Sequence, residues 1–171
     1  MKLSNMKEFK LLPIVLMALL LSACGGNQQQ GSTASQPLVE KAEPKANPKG
    51  IGEVKNVELT DPLEESMIKS GKAIYEMKCS ACHKLTDQRV VGPGWADITN
   101  RRRPEWIMNM ITNVDVMLAK DPQAQKLLEE CLTRMPNQGV SIGDARDLLE
   151  FMRKNDVEQA GEKDQAVNQN G

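Results

Sequence analysis

Four stretches of this 171-residue chain carry apolar residues at helical spacing, and all four lie between residues 60 and 155. The first begins at Thr60-Asp61-Pro62, where a capping residue and a proline favour a helix start, and it runs into residue 79. The others cover about 104–111, 121–132 and 143–154. No stretch alternates convincingly as a strand does. The pattern predicts an all-α domain of about four to five helices.

Residues 84–103 show no strong periodicity and contain a turn built from glycine and proline, Val91-Gly92-Pro93-Gly94-Trp95. A loop of about 20 residues is unusual in a compact domain unless it has a function. Wrapping a cofactor is such a function.

The sequences on both sides of this region are polar. Residues 24–58 are rich in Gln, Gly, Pro, Lys and Ser with little apolar periodicity, which predicts a flexible tether. Residues 156–171 have no core pattern, which predicts a disordered tail. The predicted folded domain is therefore 59–155.

The N-terminus has the features of a secretory signal, predicted over residues 1–23. Lysines precede an apolar run of 11 residues, Leu11–Leu21, which is shorter than the ~20 residues that span a bilayer. Leu21-Ser22-Ala23-Cys24 then resembles the lipobox of bacterial lipoproteins. That resemblance implies a lipid on Cys24 and an exported domain, anchored to a bacterial membrane and facing the periplasm or the cell exterior. Gly25, the residue after Cys24, leaves undecided whether the anchor lies in the inner or the outer membrane.

The stretch Cys79-Ser80-Ala81-Cys82-His83 has the spacing of a c-type haem attachment site. Two thiols three positions apart can each add to one vinyl group, and the histidine can ligate the iron. A disulfide or a zinc knuckle is the alternative. A zinc site would need four ligands, and the chain holds only this histidine and two further cysteines, Cys24 and Cys131.

The composition agrees with a bound haem, because aromatic residues make up only 3% of the chain and leave little bulky material for a core. A haem would supply it, so the apo-protein is expected to fold poorly. The net charge of −1 gives no reason to expect nucleic-acid binding.

Because His83 is the only histidine, the second axial ligand must be Met, Cys, Lys, water or nothing. Met135 is the favoured ligand, since it follows a predicted helix and precedes Pro136-Asn137-Gln138-Gly139, which cannot continue one. The alternatives are an open site or one of three other methionines, Met108, Met110 and Met117. Cys131, one helical turn before Met135, is favoured as a buried inert thiol, although iron ligation and pairing between two molecules stay open.

With these residues in place, the chain resembles the class I monohaem c-type cytochromes over about 66–154. The residues that carry the resemblance are Gly71, Tyr75, Cys79–His83, Val91-Gly92-Pro93, Arg103-Pro104-Glu105-Trp106-Ile107, Met135-Pro136, Leu148 and Phe151. The family implies that the first and last helices cross closely at Gly71. It also implies one covalent haem c, a hydrogen bond from the His83 ring to the Pro93 carbonyl, and Trp95 and Arg103 near the haem propionates.

These features predict an electron carrier and not an enzyme, because both axial sites of the iron would be filled. The expected partners are redox proteins, such as a quinol-oxidising complex and a terminal oxidase or reductase. One alternative is a haem-based sensor or small haem enzyme with a displaceable sixth ligand. Another is a tethered structural lipoprotein with a disulfide between Cys79 and Cys82.

Overall fold

The computed structural model describes residues 46–160, and within this part of the chain it contains helices and no strands. The all-α prediction is confirmed. The helices of the described residues are α1 (Glu65–Lys78), α2 (Ile98–Arg101), α3 (Pro104–Thr112), α4 (Val114–Lys120), α5 (Pro122–Cys131) and α6 (Ile142–Ala160). The signal and Cys24, the first part of the tether and residues 161–171 lie outside the described residues.

Helix α1 starts at Glu65, later than the predicted start at Thr60. The Glu64 side chain accepts a hydrogen bond from the backbone N–H of Ser66 and caps the helix. The Thr60 hydroxyl instead donates to the buried carboxylate of Glu150 on α6, at 2.9 Å. Thr60, which the local sequence predicts as a cap of the first helix, therefore makes a tertiary hydrogen bond instead.

Helices α1 and α6 cross at Gly71, as the family resemblance implies. A Cβ atom at this position would overlap the backbone carbonyl oxygen of Asp147 and lie 2.9 Å from the Cβ of Phe151. Tyr75, one turn further along α1, packs its ring 5.5 Å from that of Phe151 and 5.0 Å from that of Trp95. The missing side chain thus allows the two helices to bring the aromatic residues together.

Residues 49–57 form a strap that packs against α3 and α4, so the predicted tether over 24–58 is wrong at its C-terminal end. Val54 and Val57 are buried in the core. The Asn109 side chain on α3 donates to the backbone carbonyls of Lys49 and Val54, both at 2.9 Å, and accepts from the Val54 N–H at 3.1 Å. Since only isolated apolar residues of the strap are buried, its sequence shows no period that would reveal it.

The sequence pattern also missed α4, a helix of seven residues between α3 and α5. Val114, Met117 and Leu118 have the i, i+3, i+4 spacing of one helical face and are buried. Asp121 then starts α5, because its carboxylate accepts from the N–H of Ala124 at 2.9 Å and from the Trp106 indole at 3.2 Å. The spacing was a usable signal, but it covers less than two turns.

Helix α6 runs to Ala160, beyond its predicted end near Lys154, so the tail cannot begin at residue 156. The buried carboxylate of Asp156 accepts from the backbone N–H groups of Asp97 and Thr99, at 2.7 and 2.8 Å. It thereby caps the N-terminus of α2, where Asp97 makes no side-chain cap of its own. The polar composition of residues 154–160 hides this tertiary role.

None of the helices among residues 46–160 has the length and apolar character needed to cross a membrane.

Candidate functional site

A cavity of about 430 Å³ lies between the turn that holds His83, the Gly92-Pro93 turn, α3, and the end of α5 with the segment after it. Its volume is in the range of ligand pockets. Most of its wall is apolar, including Val91, Ile98, Trp106, Ile107, Met110, Ile111, Leu118, Leu127, Leu128 and Met152. The wall is therefore suited to a large apolar group.

His83 lines this cavity, and its ring is oriented by the backbone. Nδ1 lies 2.8 Å from the carbonyl oxygen of Pro93. Because a carbonyl can only accept, Nδ1 is the protonated nitrogen and Nε2 keeps its lone pair for a metal. Burial lowers the pKa of His83, and the bond to Pro93 opposes this only in part, so the ring favours the neutral, metal-binding form. The hydrogen bond implied by the resemblance is confirmed.

Gly92 makes room for the imidazole. A Cβ atom on Gly92 would overlap Cε1 of His83 and lie 2.8 Å from Nδ1. The Gly92 N–H donates to the carbonyl of Cys82 at 3.0 Å, which closes the loop between the motif and the turn. The backbone of His83 is also held, because the Tyr75 hydroxyl donates to the carbonyl of His83 at 2.8 Å. The histidine is thus held at its ring and at its backbone.

Cys79 and Cys82 are half-buried free thiols in one tight turn. The N–H groups of Cys82 and His83 both donate to the carbonyl of Cys79, at 3.1 and 2.9 Å. Cys82 lines the cavity, while Cys79 lies behind it against the core. Burial raises the pKa of the Cys79 thiol to about 11, with Lys78 opposing the rise and Cys82 adding to it. Without haem this sulfur is therefore a protonated thiol at neutral pH.

Met135 and Pro136 also line the cavity, although 52 residues separate Met135 from His83 in the sequence. Helix α5 ends at Cys131, and Leu132 adopts a left-handed conformation with φ of 57°, which directs the chain out of the helix. Met108 and Met117 are buried in the core and are not among the residues lining the cavity, whereas Met110 is. The geometry keeps Met135 and Met110 as the candidate ligands among the methionines considered.

The two residues that the resemblance places near the propionates have different surroundings. Trp95 lines the cavity, whereas Arg103 is not among the lining residues and faces the buried carboxylate of Glu105, with 3.6 Å between Nε and Oε2. Arg101 and Arg102 line the cavity instead. The run of three arginines pointed to the segment, but the extended backbone at Arg102 and Arg103, between α2 and α3, decides which of these two faces the cavity.

Cys131 lies on the wall of the cavity and is half-buried. The guanidinium of Arg89 donates to its sulfur at 3.5 Å. This contact was missed, because nothing in the sequence relates residue 89 to residue 131.

These residues fit a haem. Two neighbouring thiols lie beside an imidazole with a free Nε2, a thioether lies on the same cavity, and apolar side chains form the wall between them. Fold and site together define a small all-α protein built around one covalently attached haem.

Comparison with known proteins agrees with this class. A family model for cytochrome c matches residues 68–156, just over half of the chain. Cytochrome c from Rhodothermus marinus is 34% identical with a TM-score of 0.61, covering 63% of this chain and 92% of that one. An engineered form of that protein is 32% identical (TM-score 0.61), and the same engineered form bound to a carbene intermediate is 31% identical (TM-score 0.58); each match covers 64% of this chain and 98% of the other. No match was found among curated proteins.

The chain belongs to the cytochrome c family. It binds one covalent haem c and acts as a haem c electron carrier, with redox proteins as its general class of partner. Domains of this family typically lie outside the cytoplasm.

Proposed function

We propose that this cytochrome c is a lipid-anchored carrier that passes single electrons between redox proteins outside the cytoplasm. The observation that carries the proposal is the presence of His83 and Met135 on the wall of one cavity. With both as axial ligands the iron has no open position for a substrate, and only its oxidation state can change.

In this proposal Cys79 and Cys82 would hold the haem through two thioether bonds, and Nε2 of His83 would ligate its iron. Pro93 fixes the plane of the imidazole through the 2.8 Å hydrogen bond to Nδ1. The sulfur of Met135 would be the other ligand of the iron, and its thioether character would favour a higher reduction potential than a second imidazole. When bound, the haem supplies the one-electron redox chemistry.

The cationic residue proposed for the haem propionates is Arg102, in place of Arg103. Its guanidinium lies 5.1 Å from the centre of the Trp106 ring and lines the cavity, and burial lowers its pKa. A partly desolvated cation is stabilised by an anionic partner. Arg101 is less available to bind a propionate, because its guanidinium already donates to the carbonyls of Asp97 and Ala96.

The anchoring part of the proposal rests on the sequence Leu21-Ser22-Ala23-Cys24. A lipid on Cys24 would hold the domain at a bacterial membrane and raise its effective concentration near membrane-bound donors and acceptors. Because the strap belongs to the domain from Lys49 onward, 24 residues remain between Cys24 and that point. As a flexible chain they would have a root-mean-square span of about 25–30 Å. A quinol-oxidising complex and a terminal oxidase or reductase are suitable partner classes.

The spectrum of the purified holo-protein tests the role of Met135. The ferric protein should be low-spin and show the weak sulfur-to-iron absorption band, and Met135→Ala should remove that band and allow the ferrous protein to bind carbon monoxide. Met110→Leu is the matched control, since Met110 lines the same cavity. A spectrum unchanged in Met135→Ala, or a band lost in Met110→Leu, would contradict the assignment.

A further inference from the structure

Arg89 connects the two sides of the haem cavity. It lies in the loop between the haem-attachment motif and Gly92, and its guanidinium reaches the C-terminal end of α5. Nη1 donates to the backbone carbonyl of Glu130 at 2.9 Å, and Nη2 lies 3.2 Å from the Glu130 carboxylate. Carbonyls in the last turn of a helix have no partner within the helix. Arg89 therefore satisfies the end of α5 as well as the charge of Glu130.

The loop that carries Arg89 is coupled to His83. Residue 89 pairs with residue 83 in an isolated antiparallel bridge. The hydrogen bond from the Gly92 N–H to the Cys82 carbonyl, at 3.0 Å, closes the same loop. The backbone of Arg89 thus cannot shift far without disturbing the histidine side of the cavity.

At its other end, Arg89 holds the helix that leads to Met135. The Met135 loop, residues 132–141, begins directly after α5 with Leu132, whose side chain is 90% exposed and has little packing. A second connection from the histidine side follows Met135, where Lys78 at the end of α1 donates to the carbonyl of Gln138 at 3.0 Å. Two cations from the histidine side, Arg89 and Lys78, therefore bind the chain before and after Met135.

We propose that Arg89 and Glu130 form a clasp that positions Met135 and limits how often it leaves the iron. This inference rests on the proposed role of Met135 as second axial ligand. An external ligand can bind ferric iron only in molecules whose Met135 has moved away, so its apparent affinity reports the population of the open loop. Breaking the clasp should enlarge that population without unfolding the domain, since Arg89 and Glu130 are each 43% exposed.

The test is a titration of the ferric holo-protein with imidazole. Arg89→Gln and Glu130→Gln should each raise the affinity for imidazole about five- to tenfold. The double variant should exceed Arg89→Gln by little, because Arg89→Gln already removes the ion pair that Glu130→Gln removes, whereas Glu130→Gln leaves the hydrogen bond from Arg89 to the Glu130 carbonyl. Arg89→Lys should lie between Arg89→Gln and the wild type. Lys72→Gln is the control, since it removes an equal charge from an exposed pair on α1.

The two single variants separate a clasp from an effect of charge. They change the net charge in opposite directions, so a charge effect would move the imidazole affinity in opposite directions. That outcome, or affinities equal to that of the wild type, would overturn the clasp. A large loss of denaturant stability in both variants would also overturn it, in favour of a general structural role. A wild-type spectrum without the sulfur-to-iron band would instead refute the assignment of Met135.

Discussion

At Gly92 the absence of a side chain leaves room for the imidazole of His83. The ring lies so close that a Cβ atom on Gly92 would overlap Cε1, and it is held there by the carbonyl of the next residue, Pro93. Gly71 is subject to the same kind of constraint at the crossing of α1 and α6. In both places glycine is required because a neighbouring group leaves no space for a side chain. Neither glycine has a positive φ.

Gly92→Ala should therefore damage the site directly. The added methyl group would displace the imidazole and lengthen its hydrogen bond to Pro93, at an expected cost of about 1–3 kcal/mol. Denaturant unfolding of the holo-protein measures this cost, and the absorption spectrum reports the change at the iron. Gly143→Ala is the control. Its Cβ atom would meet only the Ser141 hydroxyl at 3.8 Å, so the variant should be as stable as the wild type or gain up to about 1 kcal/mol.

At the scale of elements, two segments with polar sequences become part of the fold through hydrogen bonds of buried polar side chains, and the strap also through the burial of Val54 and Val57. Asn109 recruits the strap, and Asp156 extends α6 while capping α2. Buried backbone groups need partners, so a side chain from another element can order a segment that has no apolar period of its own. This is why both predicted borders of the domain lay too far inward.

A chain that begins at residue 59 should be less stable than one that begins at residue 46. It loses the buried side chains of Val54 and Val57, worth about 3 kcal/mol or more together, and leaves Asn109 without its partners. Thermal or denaturant unfolding of the two holo-proteins gives the difference. Equal stability would show that the strap contributes nothing to the domain. Asn109→Ala in the longer chain should reproduce part of the loss.

At the scale of the whole molecule, the haem cavity is enclosed by residues from both halves of the folded chain. The histidine side comes from the loop after α1, and the methionine side from the end of α5 and the segment that follows. Parts of the chain that are far apart in sequence are thus joined by one cofactor. In the proposed ligation by His83 and Met135, side chains held from both sides would keep the iron closed to substrates, as an electron carrier needs.

The lipid anchor is tested separately from the haem site. In a bacterial host that matures both lipoproteins and c-type cytochromes, Cys24→Ala should abolish incorporation of labelled palmitate and release a soluble domain with an unchanged haem spectrum. Cys131→Ala is the matched control and should keep the label, because Cys131 lies within the domain. Palmitate retained in Cys24→Ala would disprove the anchor. Loss of haem in that variant would show that the cysteine also serves the folded domain.

The local sequence was sufficient for the helical class, for most of the helices and for the chemistry of Cys79, Cys82 and His83. Helical periodicity depends on neighbours within a few residues, and the haem-attachment motif spans five consecutive residues. Both can therefore be recognised in the local sequence. The choice of Met135 also followed from local signals, namely the end of a helix and the proline that follows.

Only the tertiary structure decided which groups meet across the cavity. It placed Arg102 on the wall and Arg103 against Glu105, packed the strap on Asn109, and brought Arg89 to the end of α5. Each of these contacts joins residues through the path of the backbone between them, and Arg102 and Arg103 lie in extended backbone between α2 and α3, where successive side chains point to opposite sides. A shift of one position along this extended segment would exchange the arginines, and no local pattern contains that information.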